Sequence, residues 1–113
     1  MARLAQETCV PPQDNVPALN DNEIVELKVH IPEWNVLEVD GMKQLERKFK
    51  LKDFKGAIAF TNEVGGLAEA VDHHPSLSTE WGAVTVTWWT HTVKGLHRND
   101  FIMAARTDDL FTN

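Results

Sequence analysis

Two adjacent imidazoles, His73 and His74, stand before a proline in the run Glu69-Ala-Val-Asp-His-His-Pro75. A third, His91, lies downstream in Trp89-Thr90-His91-Thr92, and a carboxylate, Asp100, follows it. Imidazole has an ordinary pKa of about 6.5, so it can give and take protons near neutrality. Three of the chain's five histidines fall in this set. With Glu69 and Asp72 beside the first two, the chemistry within reach is general acid–base catalysis.

Pro75 disfavours the α conformation at His74. A helix arriving from the N-terminal side therefore ends at or before His73, and the two imidazoles leave the backbone in different directions. That suits flanking one flat ligand and is awkward for chelating one ion. Two other readings use the same residues. A helix end with solvated histidines needs no function at all. A zinc site of His73, His74 and His91 would have three protein ligands and a water, but no Cys or further His supports it, and no metal is expected. Asp100 is first of all an acid at a helix start, where the dipole stabilises it. Trp34, Trp81, Trp88 and Trp89 are expected in the core or at an interface.

The elements that must position these groups read as follows. Asn20-Asp-Asn-Glu23 has the form of a capping box, and Ile24, Leu27 and Ile31 continue at helical spacing until Pro32. His30 falls at the helix end, on the surface. Trp34 to Val39 predicts a strand, Asp40-Gly41 a two-residue hairpin, and Leu45, Phe49 and Leu51 a return strand whose apolar row Arg47 interrupts. Asp53 can cap a helix to about Val71, with Ala57, Phe60, Val64, Leu67 and Val71 in line. Gly65-Gly66 within it is expected to permit close helix–sheet packing. Residues 76–80 predict a short strand, and Gly82 to Val93 a longer one carrying His91, with β-branched and aromatic residues on both faces. Asn99 or Asp100 opens a last helix. This order implies an α+β fold, a two-layer architecture in which an antiparallel four-stranded sheet is covered on one face by three helices. Residues 1–19, with Pro11, Pro12 and Pro17 and no period, are expected to be a flexible leader before one domain, residues 20–113.

Composition bounds the function. At 113 residues the chain forms one domain. Eleven basic against 17 acidic residues leave a net charge of −6, which argues against nucleic acid or an anionic membrane as ligand. The cluster Lys43, Arg47, Lys48, Lys50, Lys52 and Lys55 is expected on a solvated strand face. Cys9 is alone, so there is no disulfide framework. No apolar run reaches the roughly 18–20 residues that span a bilayer, and the first residues lack the apolar segment of a secretory signal. A cytoplasmic protein is expected.

In Glu69, His73-His74-Pro75, Trp81, His91 and Asp100, in register, the chain resembles the pterin-4a-carbinolamine dehydratase family. The likeness runs from about Asn20 to Leu110, taking in Trp34, Lys52-Asp53-Phe54 and Trp89-Thr90-His91-Thr92. The stretch from Thr79 to Asp109 is similar to bacterial members that accompany phenylalanine hydroxylase. The resemblance implies dehydration of 4a-hydroxytetrahydropterin to quinonoid dihydropterin, recycling the pterin of an aromatic amino-acid hydroxylase, with neither metal nor organic cofactor. It implies His73 and His91 as acid and base, His74 as an orienting group, and Asp100 as the support of His91 or a loop. Glu69, Asp72, Pro75, Trp89, Thr90 and Thr92 would bind substrate, with Trp34 as a wall. A homodimer or homotetramer is implied, with a hydroxylase as a further partner. His97 stands where many relatives have Ser or Thr, and His is the weaker cap. The alternative is a non-catalytic partner or dimerisation cofactor of a hydroxylase or a transcription factor on the same fold. Retention of all three histidines and Asp100 favours catalysis.

Overall fold

The computed structural model describes residues 3–11 and 16–111. Helix α1 (Asp21–Lys28) is followed by strands β1 (Asn35–Val39) and β2 (Met42–Lys50), helix α2 (Phe54–Val71), strands β3 (Ser76–Glu80) and β4 (Ala83–Trp88), and helix α3 (Arg98–Leu110). The strands form one antiparallel sheet in the order β1-β2-β4-β3. Its helix-covered face carries Leu45 and Phe49 from β2, paired with Trp88 and Val84 of β4. Against this face pack Phe60 and Val64 of α2 and Phe101 and Ile102 of α3, and Ile24 and Leu27 of α1 join the same core. The architecture is the expected one.

Local chemistry explains the boundaries. Asn20 accepts from the Glu23 N–H while the Glu23 carboxylate accepts from the Asn20 N–H, closing the capping box on α1. Asp40 (φ 52°) and Gly41 (φ 79°) turn β1 into β2 in the left-handed conformations such a hairpin needs. Asp53 caps α2 by accepting from the Gly56 N–H.

Arg47 does not belong to a solvated face. Its register opposite Val86 puts it among the covered residues, where it donates to Asp108 at 2.7 Å and lies 4.3 Å from the Phe49 ring centroid. Its neighbour Lys48 does point outward, towards Glu80. Gly65 and Gly66 also depart from expectation. A Cβ at either would meet nothing within 4 Å, so neither glycine is required by packing within this chain.

β4 ends at Trp88, short of the expected Val93. Beyond it Thr90 pairs back with Gly95, and His91–Val93 form a 3-10 turn closed by Lys94 in the left-handed region (φ 56°). Gly95 is required here, because its Cβ would come 2.9 Å from that of Ala18.

Residues 3–11 are laid along α3 rather than loose. Leu4 is buried, and Arg106 of α3 donates to the Ala5 and Glu7 carbonyls. Thus α3 is covered by the sheet on one side and by this strap on the other, which accounts for the unbroken apolar run Phe101–Ala105. Residues 1, 2 and 12–15 of the expected leader lie outside the described residues. Among the described residues no helix is long and apolar enough to cross a membrane.

Candidate active site

The corner after α2 is made by two backbone constraints. Asp72 is left-handed (φ 53°, ψ 42°), and its N–H, with that of His73, reaches back to the Ala68 and Glu69 carbonyls. Pro75 then keeps the chain extended into β3. Between these constraints the imidazoles part. His74 turns outward to the Glu69 carboxylate, both largely exposed. The His73 ring turns inward, its side chain 15% exposed and its centroid 5.4 Å from that of Trp88.

There His73 Nε2 is 2.6 Å from Asp100 Oδ1. Asp100 is fully buried at the first turn of α3. Its other oxygen accepts from the Thr90 hydroxyl at 2.7 Å and from the His97 N–H at 2.9 Å. The Thr90 hydroxyl and the His97 N–H both donate to this carboxylate, and an ionised carboxylate has only acceptors, so the bond to His73 calls for the tautomer with its proton on Nε2. His97 caps α3 after all, its Nδ1 accepting from the Asn99 N–H at 2.9 Å. Burial holds the His97 imidazole below its ordinary pKa, with His73 adding to the fall and Asp100 opposing it. A neutral ring is what that cap requires.

His73 borders a cavity of about 690 Å³, whose lining draws on four parts of the chain. The end of α2 contributes Asp72, His73 and His74. The segment after β4 contributes Trp89, Thr90, His91 and Thr92. The strap contributes Thr8, Cys9, Val10 and Pro11, with Asn99 and Arg106 of α3 behind it. The volume suits a small organic ligand. Burial pushes the Cys9 thiol up, as does Asp100, against the pull of Arg106, so the strap presents a neutral thiol. Among the described residues no three His, Cys, Asp or Glu side chains are grouped so as to hold a metal ion.

Residues 17–110 match the family described as pterin 4 alpha carbinolamine dehydratase. The chain belongs to this family. A curated Microcystis aeruginosa (strain NIES-843 / IAM M-2473) protein named for pterin-4-alpha-carbinolamine dehydratase is 55% identical over 111 residues, 98% of this chain and 96% of its own. The crystal structure of a transcriptional coactivator/pterin dehydratase from Brucella melitensis superposes with a TM-score of 0.74 at 32% identity, covering 82% of this chain and 97% of that one.

Of the residues the sequence singled out, seven line one cavity: Asp72, His73, His74, Trp89, Thr90, His91 and Thr92. Asp100 lies beneath it and grips His73 and, through the Thr90 hydroxyl, the loop that carries His91, rather than the His91 ring itself. The reason is topological: the 3-10 turn carries His91 outward, its ring towards Trp89, while the α2 corner drops His73 onto the start of α3. Glu69 touches the site only through His74, and Pro75 shapes the corner. Trp34 is no wall. It is sealed in the core, donating from Nε1 to Asp108 at 2.8 Å and meeting Phe49 edge-on at 5.9 Å. Sequence reasoning missed Thr8 to Pro11, Asn99 and Arg106. Their contacts span almost the whole chain, and no local period announces them.

Proposed function

We propose that the protein dehydrates a 4a-hydroxytetrahydropterin to the quinonoid dihydropterin, by imidazole acid–base catalysis, and so recycles the pterin of an aromatic amino-acid hydroxylase in the cytoplasm. The observation that carries this reading is the His73–Asp100 pair at 2.6 Å on the floor of a cavity that His74 and His91 also line.

In the reaction the C4a–O bond breaks, the leaving oxygen takes a proton and departs as water. N5 gives up its proton, and that N–H electron pair becomes the C4a=N5 double bond. One group must supply a proton and another accept one. His73 is the base. With Nε2–H committed to Asp100, Nδ1 is left with the lone pair that takes the N5 proton, and the imidazolium that forms sits against a buried carboxylate. His91, exposed at the rim, is the acid and can be reprotonated from solvent. His74, held by Glu69, orients the ring with Asp72. Trp89, Thr90 and Thr92 complete that side.

The proposal includes a homodimer or homotetramer. Phe54 and Ile58 of α2 and Trp81 (73% exposed) in the β3–β4 turn are apolar and uncovered in one chain.

The test is the ultraviolet trace of 4a-hydroxytetrahydropterin decay above its spontaneous rate. Wild type should accelerate the decay, and His73→Ala should lose about 10²-fold or more of that acceleration. Identical traces for the two, at neutral and mildly alkaline pH, would end the enzyme reading.

A further inference from the structure

Thr8, Cys9, Val10 and Pro11 share the cavity with the three histidines, although they precede the stretch that matches the family. The strap that carries them is built in. Asn99, buried in the first turn of α3, clamps one residue from both sides. Its Oδ1 accepts from the Val10 N–H at 3.0 Å and its Nδ2 donates to the Val10 carbonyl at 2.5 Å. Arg106 donates to the Ala5 and Glu7 carbonyls at 3.0 and 2.6 Å, and Arg98 grips the Glu7 carboxylate with two bonds at 2.7 and 2.8 Å. The ion pair is exposed and adds little. The buried amide is different: without Val10 both its polar atoms would be left without this partner, and a buried polar group left unpaired is strongly disfavoured.

The clamp also decides what the strap offers a ligand. Both backbone groups of Val10 are spent on Asn99, so the strap presents side chains: the Thr8 hydroxyl, the neutral Cys9 thiol, and apolar Val10 and Pro11. None carries charge near neutrality, so this wall can grip a flat heterocycle but cannot move its protons. The histidines stand elsewhere in the lining, on the α2 corner and the 3-10 turn. Asn99 and Asp100 are neighbours in one helical turn, so the strap and the His73 pair are anchored to the same few backbone atoms.

We propose that the strap Thr8–Pro11 is a substrate-binding wall of the pterin cavity and that Asn99, acting through Val10, is a positioning residue that sets how tightly the pterin is held. This rests on the pterin reading of the cavity. A wall that binds without transferring protons contributes alike to ground and transition states, so its loss raises KM and leaves kcat nearly unchanged.

Cys9 is the chain's only cysteine and therefore a native reporter. The full-length wild-type protein is first assayed for turnover of 4a-hydroxytetrahydropterin. It is then alkylated with iodoacetamide at about pH 9, where thiolate is populated, with and without a saturating 7,8-dihydropterin, and followed by intact mass. Pterin should slow alkylation of Cys9 by about fivefold or more, as expected when a ligand buries most of a cavity wall. In parallel, Asn99→Ala should raise KM by about tenfold with kcat within about twofold of wild type. Should that variant fail to fold, the wild-type protection result decides. Turnover by wild type with no protection of Cys9, or an Asn99→Ala variant that loses kcat at unchanged KM, overturns the wall and leaves the dehydratase intact. Absence of turnover above the spontaneous rate removes the dehydratase and the wall together.

Discussion

His73 and Asp100 act as one unit, because a buried carboxylate with three donors has a single acceptor arrangement and the imidazole is one of those donors. Replacing the carboxylate by an amide keeps the shape but lets the amide N–H face the ring, which can reverse the tautomer. Asp100→Asn is therefore expected to lower kcat by about 10-fold to 10²-fold. Because the two residues serve one proton transfer, the double variant with His73→Ala should be no slower than His73→Ala alone. A double variant slower by the product of the two single losses would mean that Asp100 serves another group. His91 shows why identity alone does not rank the histidines. It is exposed, with its ring towards that of Trp89, whereas His73 is held at one nitrogen by the Asp100 carboxylate.

The N-terminus of α3 is the element on which the site turns. Its cap is an imidazole acceptor that must be neutral, and burial has lowered that imidazole's pKa. The folded state thus binds this proton less readily than the unfolded chain, whose value is near 6.5. The sign follows: the cap's contribution is complete above about pH 6.5 and is lost as pH falls through the lower folded value. The stability of wild type relative to His97→Ser, which caps without titrating, should decline between pH 7 and 5. The decline should be of the order of one cap, about 1 kcal/mol or less, read from urea midpoints across that range. A flat difference would show that His97 binds its proton alike in the folded and unfolded states, or that its cap contributes nothing. In α2 the argument concerns two glycines with open space around them. Gly65→Ala and Gly66→Ala should each raise stability by about 0.4–1 kcal/mol, seen as a higher Tm. A fall instead would locate a partner's close approach on that face of α2.

At the scale of the molecule, uncovered Phe54, Ile58 and Trp81 are consistent with self-association. Light scattering should give a mass of at least twice the 12.8 kDa of one chain, and a monomer in dilute solution would remove the oligomer from the proposal. Much of this molecule was legible in the chain itself. Asn20 and Glu23, Asp40-Gly41, Asp53, and Pro75 after two histidines are local instructions, each acting through backbone sterics or a hydrogen bond within a few residues. They sufficed for the elements, their order, and the divergence of His73 from His74. The family resemblance carried by the His-His-Pro motif likewise brought out seven residues that share a cavity. What local pattern could not decide was which distant group meets which. Asp100 chose His73 because the α2 corner and the start of α3 converge, while a 3-10 turn in place of strand carried His91 away. Trp34 went to the core because Asp108, on the far end of α3, offered its indole N–H an acceptor. The strap found α3 because Asn99 and Arg106 supplied partners for backbone groups almost a whole chain length away. Sequence by itself thus determined the conformations and the chemical inventory, since these depend on near neighbours. Only the tertiary structure decided the pairings, because burial and hydrogen-bond satisfaction are settled among all the groups that meet in space.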